Sequence, residues 1–208
     1  SVSTVSTVSG GSLVTAAIVS QAGMKWPTSD EYLQSIYPDL RRRITAGDLF
    51  SLKSIGWSGL AEFNLRLIRS RASVLATMLE RVWGISGRLG DLPDTPDWLI
   101  NTTCIDTGKN WRFSKREMGD WTFGRHYAPD VPVAVAAAAS AAVPYAIGAL
   151  QLTLPAVGWW ETDPATGKQT RTTSPRKAGC GSGMAAPTTT WASRRCRSPG
   201  AASGPAIS

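Results

Sequence analysis

The stretch Thr7-Val8-Ser9-Gly10-Gly11-Ser12 decides how the rest of the chain is read. A β-branched run, Val2 to Val8, leads into it, and a small-residue apolar run, Leu13 to Val19, leaves it. The first run predicts a buried strand and the second a helix. A Ser on the sharp turn between them reads as a nucleophile elbow, with Thr7 in place of the usual first Gly. Such a turn strains the Ser backbone, and Gly at the following positions avoids Cβ clashes. Ser9 is then the candidate nucleophile. The N–H groups of Gly10 and Gly11, at the positive end of the helix dipole, are the candidate oxyanion donors. Two plainer readings suit the same residues: an ordinary Ser/Gly turn, or an anion-binding nest of N–H groups.

A chain of 208 residues, 42% hydrophobic, is long enough for one α/β domain with a sizeable core. Nine Trp point to large buried or interfacial aromatics. Three Cys without zinc spacing indicate neither a disulfide framework nor a structural metal, and no cofactor is expected. The single His126 stands in Phe123-Gly124-Arg125-His126-Tyr127, which reads as a surface loop. Any Ser-His-Asp triad would have to use it.

The net charge of +7 is concentrated at one end. Arg171, Arg176, Lys177, Arg194, Arg195 and Arg197 follow Thr170 with no acid among them, and what precedes them is nearly neutral. A nucleic-acid partner needs a basic stripe on a folded face, so none is expected. The first residues lack a charged n-region, so no signal peptide is read. The numbering starts inside a predicted core strand, as in an N-terminally truncated chain. Val131 to Leu150 is apolar but Ala-rich, and Pro132 and Pro144 interrupt it. That predicts a buried helix rather than a membrane span, in a protein of the cytoplasm or the membrane periphery.

Ser29-Asp30-Glu31 predicts a helix start, with Tyr32, Leu33, Ile36 and Tyr37 as its apolar face and Pro38 as its end. Arg41-Arg42-Arg43 reads as a solvated helix edge or as a contact for anionic head groups. Phe63, Leu67, Val74, Leu75, Met78, Leu79 and Val82 recur at helical spacing, a stripe suited to core packing or to the underside of a lid. Residues 26–90 together are read as a helical insertion after the nucleophile helix. Trp98 to Cys104 predicts a central strand, Asp106 to Asn110 a turn, and Trp111 to Phe113 the returning arm of a hairpin. Val133 to Val143 predicts a small-residue helix packed tightly on the sheet, and Ile147 to Leu152 a short strand. After Thr170 the chain has no Leu, Val, Phe or Tyr. Residues 171–208 cannot offset their ordering entropy by burial and are expected to form a disordered basic tail.

Three stretches together resemble the patatin-like phospholipase family. They are Ser6-Thr7-Val8-Ser9-Gly10-Gly11-Ser12, the strand and hairpin from Trp98 to Phe113, and Ala138-Ala139-Ser140-Ala141-Ala142-Val143-Pro144. The family's strand and hairpin reads like W-x-I-N-A-T…T-G-x-x-W-x-F, and its small-residue helix like A-x-A-A-S-A-A-x-P. The resemblance covers most of residues 1–170. It implies an α/β fold, a three-layer α/β/α sandwich around a mostly parallel sheet, incomplete here. It also implies hydrolysis of lipid acyl esters by a Ser-Asp dyad without His. Ser9 would be the nucleophile and Gly10 an oxyanion donor, with no cofactor. The implied partner is a lipid or acyl-ester substrate, and peripheral contact with a membrane surface suits it.

Two parts of the family pattern have no match. The Gly-rich oxyanion loop belongs to the strand before the elbow, and only eight residues precede Ser9. The dyad Asp belongs to an Asp-Gly-Gly or Asp-Gly-Ala turn, and this sequence has no Asp-Gly pair. Asp163, its last acid, is followed by Pro164. An out-of-frame tail accounts for the loss. Read one base early, DNA encoding Ser182 to Ser193 can specify Trp-Asp-Gly-Gly-Ala-Tyr-Asp-Asn-Leu-Gly-Val, which looks like the family's dyad turn. The Gly after that Asp is forced, because the Met184 codon followed by an Ala codon leaves GGC. Activity is therefore expected to be impaired. The alternative is a non-catalytic remnant that binds lipid or a membrane surface.

Overall fold

The computed structural model describes residues 2–46, 71–105, 107–142, 150, 152–163 and 165–172. β-branched Thr4, Val5, Thr7 and Val8 make up most of β1 (Thr4–Val8), and the chain turns at Ser9 straight into α1 (Gly10–Gln21). The Thr28 hydroxyl caps α2 (Ser29–Glu31) by accepting the Glu31 N–H at 3.2 Å. A π-helical turn, Tyr32–Ile36, leads from it into α3 (Tyr37–Ala46). Pro38 therefore does not end the helix, contrary to the sequence expectation. Pro has no N–H to donate and its ring crowds the turn before it. The wide turn ahead of Pro38, closed by the Tyr37 N–H on the Tyr32 carbonyl, accommodates both defects. Arg42 and Arg43 reach back to Asp39, so two of the three arginines are engaged along the helix edge. In α4 (Arg71–Val82) the side chains of Leu75, Met78 and Leu79 are buried, with Trp83 just beyond. The helical stripe packs into the core there, while Phe63 and Leu67 lie outside the described residues.

β2 (Asp97–Thr103) runs parallel to β1. β3 (Asn110–Phe113), β4 (Glu117–Asp120), β5 (Gly124–Tyr127), β6 (Trp159–Thr162) and β7 (Gln169–Thr172) follow in order across one seven-stranded sheet. Every neighbouring pair after β1–β2 is antiparallel. The helices between β1 and β2 supply the long crossover that a parallel pair requires, whereas a tight turn brings a strand back antiparallel. The mostly parallel sheet implied by the family resemblance is thus corrected to a mixed, mostly antiparallel one.

Residues opposite one another in a ladder share a face. The register places Trp98, Ile100, Trp111, Phe113, Met118 and Trp159 on one face, and all six are buried. Helix α5 (Val133–Ala141) lies on that face, bonded to it where the Thr102 hydroxyl donates to the Ala139 carbonyl at 2.8 Å. Small side chains let α5 sit between α1, α4 and β2, with nearly every residue buried. The opposite face carries Ser6, Val8, Asn101, Arg112, Arg125 and Arg171. None of these is buried, and Val8 is 63% exposed. Among the described residues β1 and β2 have helices on one face only, two layers rather than a three-layer α/β/α sandwich. β1 is the edge strand and its outer face is open, so the predicted buried strand is half-buried at most.

Several finer expectations move as well. His126 lies in β5 rather than in a loop. Trp159 is completely buried, and the rings of Trp111, Phe123 and His126 surround it at 5.3 to 6.1 Å. That cluster gives the short strands β3, β5 and β6 a common core. Leu150 and Leu152 are in no strand, and the rest of the strand predicted around them lies outside the described residues. Arg171 and Thr172, the first two residues of the predicted tail, close β7; residues 173–208 lie outside the described residues. No helix of the described residues is long and apolar enough to cross a membrane.

Candidate active site

Ser9 has φ 53° and ψ −127°. Positive φ is uncommon for a residue with a Cβ, and here it follows from the connection: β1 ends at Val8 and α1 begins at Gly10, so one residue makes the whole reversal. The Ser9 carbonyl accepts the N–H groups of Ser12 at 2.9 Å and Leu13 at 3.2 Å, which starts the helix. Gly10 and Gly11 precede that first bonded turn, so their N–H groups remain outside the helical ladder. Ser9, Gly10 and Gly11 are all exposed. The expected steric need for Gly is not seen. A Cβ on Gly10 would meet nothing within 4 Å, and one on Gly11 only the Thr7 Cβ at 3.9 Å. Gly10 faces open space, and Gly11 meets β1 only at an ordinary contact distance. Gly10 is exposed, so a ligand can approach the start of the helix there, and that is the chemically useful consequence.

Beneath the elbow lies a run of polar contacts that sequence reasoning missed. The Ser9 N–H donates to Ser140 Oγ at 3.0 Å. Ser140 Oγ lies 2.8 Å from Ser12 Oγ and donates to the Asn101 carbonyl at 2.6 Å. Ser12 Oγ lies 2.9 Å from Thr7 Oγ1, which accepts the Trp98 indole N–H at 2.9 Å. Ser12 is completely buried and Ser140 is 8% exposed. The one available signal was a lone hydroxyl in the Ala run of α5.

Ser9 Oγ has no hydrogen-bond partner among the described residues. His126 cannot serve it: β5 lies four strands from β1, about 19 Å at ordinary strand spacing. Burial pushes the His126 imidazole below the usual histidine range, partly opposed by its hydrogen bond with the Val157 backbone. The buried Asp120 is also committed elsewhere. It accepts the Thr107 hydroxyl at 2.7 Å, the Thr122 N–H at 2.7 Å and the Phe123 N–H. Asn101, at the end of β2 nearest Ser9, points to the other face, donating to Ser6 Oγ at 2.9 Å and to the Thr7 carbonyl at 3.1 Å. No group of three or more His, Cys, Asp or Glu among the described residues could hold a metal ion. At the same end of the sheet, beyond β4, Trp121 is 64% exposed, with Lys109 Nζ 5.3 Å from its ring centroid.

No family model, curated protein or solved structure matches the chain.

Proposed function

We propose that this chain carries the nucleophile half of a lipid acyl hydrolase that is impaired in turnover. The observation that carries the proposal is an exposed Ser9 held at φ 53° between a strand and a helix N-terminus. In that position Ser9 Oγ attacks the ester carbonyl carbon, and the carbonyl oxygen, now an oxyanion, takes the Gly10 N–H. The Oγ–C bond forms as the C=O π pair moves to oxygen. The hydroxyl proton needs an acceptor, here solvent water; the ester C–O bond breaks as the tetrahedral centre collapses, the alcohol leaves with a proton from water, and water then hydrolyses the acyl-Ser9 ester. A Ser-Asp dyad supplies that acceptor in the family this chain resembles, and the sequence lacks the Asp-Gly pair. Loss of a general base costs about a hundredfold to ten-thousandfold in rate.

The expected behaviour is labelling without efficient turnover. A fluorophosphonate should modify Ser9 slowly, and mass mapping should find the adduct there and not in Ser9→Ala. Hydrolysis of short-chain nitrophenyl esters should be slow and should vanish in Ser9→Ala. A rate ordinary for a lipase that survives Ser9→Ala sinks the proposal.

A second reading, a module that binds a lipid surface without hydrolysing it, is favoured by a Ser9 hydroxyl that has no base beside it among the described residues and by exposed Trp121 beside Lys109. An amphipathic ring with a cation suits the head-group layer. Sedimentation with vesicles of phosphatidylcholine and phosphatidylserine should then depend on Trp121, and equal binding by Trp121→Ala removes this reading.

A further inference from the structure

We infer that Ser140 is the positioning residue of the elbow: its hydroxyl, fixed in direction by a saturated run of polar groups, holds the Ser9 backbone in its strained conformation. The inference rests on the proposed role of Ser9 for its functional meaning, though its geometry stands alone.

The direction of every bond in the run follows from counting protons. The Asn101 carbonyl can only accept, so the single Ser140 hydroxyl proton goes to it. Ser140 Oγ must then accept from both its other partners, the Ser9 N–H and the Ser12 hydroxyl. The Ser12 proton is spent there, so Ser12 accepts from Thr7. Thr7 in turn accepts the Trp98 indole N–H, which can only donate. The polarity runs one way, from Trp98 through Thr7, Ser12 and Ser140 to the Asn101 carbonyl, with the Ser9 N–H as a branch. No hydroxyl in it is free to rotate without breaking a bond.

One atom, Ser140 Oγ, thereby joins the elbow, α1, α5 and β2. The Ser9 N–H belongs to the peptide whose rotation sets φ at Ser9. Without its acceptor that peptide can turn toward an unstrained conformation, swinging the Ser9 side chain away from the Gly10 N–H. Water cannot readily replace the acceptor, because Ser12 is completely buried and Ser140 nearly so. A residue 131 positions away in sequence thus sets the aim of the nucleophile.

The test compares Ser140→Ala with Thr102→Val. Each removes one buried hydroxyl that ties α5 to β2, but only the first removes the Ser9 acceptor. Two readouts are used: hydrogen exchange of the Ser9 amide, and the rate of fluorophosphonate labelling at Ser9. Ser140→Ala should speed Ser9 exchange about tenfold, the loss of one good hydrogen bond, and slow labelling about tenfold or more. Thr102→Val should leave labelling within about twofold, and Ser140→Thr should restore both readouts. Unchanged Ser9 exchange in Ser140→Ala, or equal slowing of labelling by both variants, overturns the inference. Should Ser140→Ala fail to fold, the wild-type amide decides: slow exchange at the exposed Ser9 supports it and unprotected exchange overturns it. If wild-type Ser9 takes no label at all, the hydrolase reading falls, and amide exchange alone judges Ser140.

Discussion

Ser9 and His126 show how differently two chemically capable residues are placed. Ser9 is exposed and strained, with no partner on its hydroxyl among the described residues. His126 is half-buried in β5, its ring edge-on to Trp159 and its Nδ1 without a partner among the described residues. That histidine has a thermodynamic signature in place of a catalytic one. Its folded pKa is lowered, burial being the main cause, so the unfolded chain binds the proton more tightly. Its contribution to stability is complete above the unfolded value near 6.5 and is lost as pH falls from there through the lower folded value. The thermal midpoint should therefore drop between pH 7 and pH 5.5, and His126→Phe should flatten that drop. As the chain has one His, its single imidazole resonance reports the titration directly. A midpoint independent of pH across that interval in the wild type would show the ring to be solvated.

At the scale of the element, the hairpin of β4 and β5 depends on close backbone approach. Gly119 has φ 135°, and a Cβ there would run into the Gly124 carbonyl oxygen. Gly119→Ala should lower stability by about 2–4 kcal/mol, from backbone strain and a clash that neither strand can relieve. Gly167 supplies the comparison, with φ 67° but open space around it. Gly167→Ala should cost only about 1 kcal/mol. Urea unfolding at constant m reads both, and equal effects would mean that strain alone matters. The same close approach explains why β4 and β5 were not legible as strands. Glu117–Asp120 and Gly124–Tyr127 are four residues each, each contains a Gly, and neither shows apolar alternation. The ladder with β3 and β6 holds them as strands, and Trp159, reached from β6, packs on Phe123 between them and on His126 of β5. Pro38 taught the opposite lesson: a helix breaker by local rule is accommodated by a wide turn that composition does not announce.

For the whole molecule, among the described residues one layer of helices on the inner face of a mixed, mostly antiparallel sheet leaves β1 at the edge with Ser9 at its end. The proposed nucleophile thus stands where a base from another part of the chain can reach it. The out-of-frame reading names one. Shifting the frame by one base ahead of Ser182 should install an Asp-Gly-Gly turn and raise nitrophenyl ester hydrolysis about a hundredfold or more, with Ser9→Ala abolishing the gain. An unchanged rate in a folded, frame-shifted protein would leave the dyad idea without support. Sequencing the DNA that encodes residues 171–191 tests the premise first.

What the chain alone determined was local. The β-branched run, the Gly pair and the small-residue helix are short-range patterns, and they place the strand, the elbow at Ser9 and helix α5 by propensity and spacing. The hairpin of β2 and β3 was legible for the same reason, since only a short stretch of turn-forming residues separates its arms in sequence. The tertiary structure decided what lies between distant residues: the antiparallel order of the later strands, the bare outer face of β1, and Ser140 under Ser9. Those depend on which buried hydroxyls and aromatic rings meet across dozens of residues, and at Ser9 and Ser140 across 131, and no local period encodes such a meeting.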